Sequence, residues 1–147
     1  MKLNYLYKKA IFLLELIFAL VIFSILLTLA EEQFGRYYLI KKQSEKIINY
    51  LDEAGTHLLT KAIAENTFKL CKNENMTNPC LIENLGVKTS YKLPLKNCIY
   101  REDNYAIICE LSLSDTLDLE AIMKAMKEFP FNTKIVNGKY FYFYLRF

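Results

Sequence analysis

A chain of 147 residues is long enough for one compact domain with an appendage, and short for two domains. Its formal charge is +3, and without Lys2, Lys8 and Lys9, which precede an apolar run, the side-chain balance falls to 0. Proteins that read nucleic acid draw much of their affinity from phosphate neutralisation on a strongly basic face, so this balance does not support direct DNA binding.

The first element is the apolar run itself. Residues 10–30 comprise 21 positions with a single charged residue, Glu15. As a helix this run spans about 31 Å, the thickness of a bilayer's hydrocarbon core, and it exceeds the roughly 7–15 residues of a cleavable signal core. Lys8 and Lys9 stand before it, while Glu31 and Glu32 follow. Positive charge stays on the cytoplasmic side, so a single-pass topology is predicted, with the N-terminus inside and the rest outside. Glu15 does not suit a plain anchor. A carboxylate in a spanning helix costs about 2.5–3.5 kcal/mol and is usually paired or functional. Snorkelling toward the cytoplasmic headgroups is one remedy, only partly open to a side chain as short as Glu. The other is a cationic partner at the same depth.

The residues around it, Lys8-Lys9-Ala10-Ile11-Phe12-Leu13-Leu14-Glu15-Leu16-Ile17, resemble the prepilin signal of type IV pilins and type II secretion pseudopilins. That signal has a short basic leader, a small residue (nearly always Gly), an aromatic, two or three apolar residues, Glu, and then a long apolar helix. Ala10 stands in the place of the Gly and Ile11 in the place of the aromatic. The resemblance implies cleavage by a prepilin peptidase between Ala10 and Ile11 and N-methylation of the new amine of Ile11. It also implies that Glu15 pairs with the terminal amine of a neighbouring subunit during filament assembly. The partners implied are other pilins or pseudopilins, the prepilin peptidase, an inner-membrane assembly platform and membrane lipid. The implied location is a bacterial inner membrane, with the C-terminal domain in the periplasm. The spacing is physically sensible, because residues four apart share a helix face and Ile11 and Glu15 fall on one stripe. Cleavage turns the apolar end into an ammonium, the cation that the carboxylate lacks.

Helical periodicity continues beyond the run. Ile47, Leu51, Ala54, Leu58 and Ala62 form one apolar stripe with Ile48, Gly55 and Leu59 beside it, and Lys42, Glu45, Lys46, Asn49, Asp52, Glu53 and Thr60 fall mainly opposite. No proline occurs before Pro79, so one nearly continuous helix is predicted over residues 7–65, with Gly35 and Gly55 as places to bend or to admit a close neighbour. His57 lies near the polar side and reads as a surface residue. The expected organisation is a leader at 1–10, a membrane-spanning half-helix at 11–30, an amphipathic half-helix at 31–65, and a periplasmic globular part at 66–147.

The four cysteines, Cys71, Cys80, Cys98 and Cys109, follow the helix. They contain no CxxC pair, and His57 is the only histidine, so no metal site is expected. An even count in an exported domain reads as two disulfides; four reduced thiols in a cytosolic domain is the alternative. The stretch between Cys71 and Cys80 is rich in Asn, Pro and Lys and reads as a loop. Residues 96–101 and 105–112 read as strands around a turn at Glu102-Asp103-Asn104. A hairpin centred between Asp103 and Asn104 pairs residues whose numbers total 207, as 98 and 109 do. Directly opposed strand residues lie within disulfide reach. Of the three possible connectivities, Cys71–Cys80 with Cys98–Cys109 is therefore favoured.

Residues 115–128 read as a short helix capped by Ser114 or Asp115, with Leu117, Ala121, Ile122, Ala125 and Met126 on one side and Phe129-Pro130 ending it. Asn137-Gly138 between two β-type runs is a strong hairpin cue. In the second run Tyr140, Tyr142 and Tyr144 alternate with Phe141, Phe143 and Leu145. The tyrosines form either a half-buried sheet face or a surface for a partner or for stacked bases.

The expected fold is α+β and pilin-like: a long N-terminal helix, membrane-spanning in its first half, packed on a small antiparallel sheet of four or five strands, with one short extra helix. No GxSxG, Walker loop or HExxH is present, so no catalytic residue is assigned and no enzyme or cofactor is expected. The function expected is that of a minor pilin or pseudopilin in a type II secretion, DNA-uptake or type IV pilus machine. Two alternatives are a static bitopic protein whose outer domain binds a ligand or envelope partner, and a membrane-anchored enzyme.

Overall fold

The structure is a computed structural model that describes residues 1–71, 80–85, 87 and 92–145. The expected loop between Cys71 and Cys80, residues 72–79, lies outside the described residues. The chain divides into two compact units, Met1–Tyr38 and Leu39–Phe147.

The first element, α1 (Lys2–Glu65), is a single helix. It begins at Lys2, five residues before the start predicted at Tyr7. Leu, Lys and Ala are good helix formers, and nothing in the first turns breaks the pattern. Its end is a Schellman motif. Asn66 takes a left-handed φ of 50°. Its N–H donates to the Ile63 carbonyl at 3.2 Å, and the Thr67 N–H donates to the Ala62 carbonyl at 3.1 Å. These bonds satisfy carbonyls that the last turn leaves open, and Asn tolerates αL better than any residue but Gly.

Within the Leu39–Phe147 unit the predicted stripe is the buried face of the helix. Ile47, Leu51, Ala54 and Leu58 have no exposed surface and Ala62 has 2%. Ser44 and Tyr50 join them, one helical turn from Ile47 on either side. His57 is exposed, as expected. Gly55 serves close approach: a Cβ there would stand 3.1 Å from Leu145 Cδ2 and 3.6 Å from Phe143 Cε1.

A short 3₁₀ turn at Ile82–Leu85 precedes the sheet. Among the described residues four strands follow, β1 (Leu95–Arg101), β2 (Ala106–Leu111), β3 (Thr133–Val136) and β4 (Tyr140–Tyr144), with α2 (Thr116–Glu128) between β2 and β3. The sheet is antiparallel in the order β1-β2-β4-β3, so the strand that comes last in the chain lies inside it. In β1 and β2 the pairs Ile99–Ile108, Tyr100–Ile107 and Arg101–Ala106 keep the predicted register. A bulge between Lys96 and Ile99, with Asn97 at φ 49°, shifts it by one toward Leu95. Such an extra residue, with αL geometry that Asn tolerates, bends the strand and raises its twist. Isolated pairing of Leu81 with Ile99 continues the ladder on the outer side of β1.

Asp115 is the α2 N-cap, its Oδ1 accepting from the Asp118 N–H at 3.0 Å. Ala121, Ile122 and Ala125 are buried beneath it. The Asn137-Gly138 turn has φ of 55° and 63°, and the Lys139 N–H closes it on the Val136 carbonyl at 3.2 Å. Pairing then resumes at Val136–Tyr140, one residue later than a simple two-residue hairpin gives. Alternation assigns the faces. Cys98, Tyr100, Ile107, Cys109, Phe141 and Phe143 share the core with the helix stripe and with α2. Tyr140, Tyr142 and Tyr144 lie on the other face, exposed or half-buried. The whole is the α+β, pilin-like layout that the sequence predicts.

Candidate functional site

The Met1–Tyr38 unit consists of the first 37 residues of α1 after Met1, and its large apolar side chains are solvent-facing from Leu3 onward. The apolar window here has a mean hydropathy of 2.9 and none of it is buried within the protein. By length and composition this is one helix able to cross a membrane. Its apolar groups surround the axis with no single stripe, which is the pattern of a helix in lipid or among other helices.

Glu15 is exposed on this helix. Among the described residues it has no ion-pair partner. Ile11, one turn below on the same face, is 40% exposed. The bond between Ala10 and Ile11 lies inside α1, because the helix begins at Lys2. The arrangement offers one thing chemically: a lone carboxylate on an apolar surface, open to a cation brought by another molecule. Tyr5, Tyr7, Tyr37 and Tyr38, to which hydropathy alone assigns no role, are all well exposed at the two ends of this unit. Their position outside the apolar run is the sequence signal that distinguishes them from core tyrosines.

The cysteines pair as the residue spacing favours. Cys98 and Cys109 face each other across β1 and β2 with Cα atoms 4.1 Å apart, and Cys71–Cys80 has a Cα separation of 5.8 Å. The second bridge is tied to the sheet at both ends. The Cys71 N–H donates to Glu102 Oε1 at 2.7 Å in the β1–β2 turn, and the Tyr100 N–H donates to the Cys80 carbonyl at 2.9 Å. Tyr100 itself is buried, and its hydroxyl donates to the Phe68 carbonyl at 3.4 Å. Burial, then the charge of Glu102 and the neighbouring Tyr105, pushes the Tyr100 phenol up to about 12. Burial, then Glu83, does the same for Tyr50.

Elsewhere in the Leu39–Phe147 unit a cavity of about 480 Å³ is an open groove lined by Lys46, Lys92, Lys96, Ser114 and Asp118 among others. The Asp118 carboxylate is already engaged, accepting from the Ser114 N–H at 2.9 Å and from its hydroxyl at 2.6 Å. Among the described residues no group of three or more His, Cys, Asp and Glu side chains is placed to hold a metal. On the outer sheet face Tyr142 and Tyr144 stack with centroids 6.1 Å apart, beside Ile108, which is 7% exposed. Tyr142 and Tyr144 are thus half-buried on this face, while Tyr140 is exposed.

Comparison of the chain with family models, with curated proteins and with solved structures finds no match.

Proposed function

We propose that this chain is a minor pilin or pseudopilin, a structural subunit of a type IV filament machine serving type II secretion, DNA uptake or a type IV pilus. One observation carries the reading: Glu15 is the sole carboxylate of the exposed apolar run at residues 10–30, in frame behind Lys8-Lys9-Ala10, and among the described residues it has no ion-pair partner. In this reading the helix spans a bacterial inner membrane with its N-terminus in the cytoplasm and the Leu39–Phe147 unit in the periplasm. Prepilin peptidase cuts between Ala10 and Ile11, the amine of Ile11 is methylated, and Glu15 accepts the terminal ammonium of a neighbouring subunit. Two groups that are each costly in lipid become one pair only when subunits meet. Loss of one partner from such a buried pair costs about 3–5 kcal/mol. The two disulfides support an oxidising compartment for the folded unit.

The test is made in cells carrying an active prepilin peptidase. Mass spectrometry of the membrane form is expected to show loss of residues 1–10, and an intact N-terminus refutes the cleavage. Glu15→Ala is expected to leave membrane insertion unchanged and to impair crosslinking into filament complexes. Unchanged assembly would indicate a static bitopic protein instead.

A further inference from the structure

Two tyrosine pairs bracket the apolar run. Tyr5 and Tyr7 stand before it, Tyr37 and Tyr38 after it, and all four are exposed on α1. Tyr7 and Tyr37 are 30 residues apart. At 1.5 Å per residue that is about 45 Å along the axis, and about 42 Å at the ordinary tilt of about 20°. A bilayer with its headgroup layers measures roughly 40–45 Å, against about 30 Å for hydrocarbon alone. The tyrosines therefore match the outer limits of the headgroup layers, as the apolar run matches the hydrocarbon.

Angular positions separate a lipid contact from a protein contact. At 100° per residue, Tyr5 and Tyr7 point about 160° apart and Tyr37 and Tyr38 about 100° apart. A packing partner selects one face, repeating at three and four residues. A lipid interface selects a depth and accepts any face. Both pairs follow the second rule. The charges agree with it. Lys2, Lys8 and Lys9 lie with the first pair, Lys9 Nζ standing 5.5 Å from the centroid of the Tyr5 ring, and Arg36 lies beside the second. Tyrosine is enriched at both membrane–water interfaces because its ring is apolar and its hydroxyl is polar.

We propose that Tyr5 with Tyr7 and Tyr37 with Tyr38 are two interfacial belts whose partner is the phospholipid headgroup layer, and that the membrane-contacting segment extends through residue 38 rather than ending at Ala30. Ile22, midway between Tyr7 and Tyr37, then lies at the bilayer centre, and Glu15, seven residues away, lies about 10 Å from it, inside the hydrocarbon. The inference rests on the membrane span alone and not on filament assembly. Cleavage after Ala10 removes the inner belt whole and leaves the outer one.

The chain contains no tryptophan, so each introduced indole reports one position. Full-length Tyr7→Trp, Ile22→Trp and Tyr37→Trp are reconstituted in phosphatidylethanolamine–phosphatidylglycerol vesicles. A fraction of the lipid carries bromine either near the glycerol end or near the methyl end of its acyl chains. The expected result is a deep-to-shallow quenching ratio above one for Ile22→Trp and below one for the other two, with little quenching by aqueous iodide at position 22. An indole at position 37 that iodide quenches and neither bromolipid reaches, beside a deep Ile22→Trp, overturns the outer belt. The same result at position 7 overturns the inner belt. If Ile22→Trp itself is open to iodide, the membrane span fails together with the belts. An uncleaved chain in cells leaves these depths untouched and speaks only against the filament reading.

Discussion

Helix α1 runs through two regimes that differ in what its apolar residues meet. In the Met1–Tyr38 unit, Leu, Ile and Phe surround the axis and no apolar side chain is buried by the protein. In the Leu39–Phe147 unit one stripe of the helix is buried, with Ile47, Leu51 and Leu58 fully enclosed, while Leu59 and Ile63 off that stripe stay exposed. The contrast teaches that helix content and hydrophobicity do not by themselves indicate a core. Angular distribution does, because a folded partner covers one face and lipid covers all of them. Charge placement follows the same division. Glu15 stands alone among apolar neighbours, whereas the charges of the second regime face outward.

The sharpest way to break this comparison is to truncate matched apolar side chains. Phe141→Ala, in the enclosed core, is expected to lower stability by about 3–5 kcal/mol, whereas Phe18→Ala, 59% exposed, leaves it within about 0.5 kcal/mol. Denaturant unfolding of the detergent-solubilised chain, followed by near-UV dichroism, checks both. Equal losses would mean that the first regime has a packed core of its own. Next in size are the disulfides. Cys98→Ala with Cys109→Ala is expected to cost about 2–4 kcal/mol, and reductant is expected to destabilise the Leu39–Phe147 unit while leaving helicity of the apolar segment unchanged.

The buried phenols give a smaller, pH-dependent effect. Tyr50 and Tyr100 are raised to about 12 in the fold against an ordinary value of 10.0, so burial favours the neutral form. A group raised in this way contributes stability that is complete below the unfolded value and lost as pH climbs through the folded one. Thermal stability is therefore expected to hold up to about pH 9 and to fall between about 10 and 12. Tyr100→Phe reduces that fall; an unchanged alkaline profile in Tyr100→Phe refutes its share. The smallest effect concerns the two helical glycines. Gly35→Ala meets nothing within 4 Å and is expected to gain about 0.5–1 kcal/mol of helix stability. At Gly55 the same gain is offset by Leu145 Cδ2 at 3.1 Å, so Gly55→Ala is expected to be close to neutral. Amide exchange of the helix measures both.

These contrasts follow what was readable in the residues. The stripe from Ile47 to Ala62, the Asp115 cap, the Asn-Gly turn and the Cys98–Cys109 pairing are all local patterns, set by spacing within a dozen or so residues. What escaped a local reading depends on contacts between distant residues or on balanced alternatives. The start of α1 at Lys2 reflects weak propensities that sum without a marker. Burial of Ser44 and Tyr50 depends on which strands lie opposite them. The placement of β4 between β2 and β3 is a long-range choice, made across α2. The bulge at Asn97 carries no sequence mark beyond an Asn in a strand. For the candidate site the division is sharper. Glu15 and its frame are plain in the sequence because one carboxylate in an apolar run has no competitor, while the tyrosine belts emerge only once the helix is seen to continue past both ends of that run.

The sheet order also constrains when the Leu39–Phe147 unit can form. Because β4 pairs with both β2 and β3, the sheet formed by the described residues is incomplete until residues 140–144 have emerged. Up to that moment the nascent chain holds two helices and one local hairpin, with one edge of β2 unpaired. Closure of the sheet thus waits on a strand distant in sequence from β2, a non-local pairing of the kind that folds slowly.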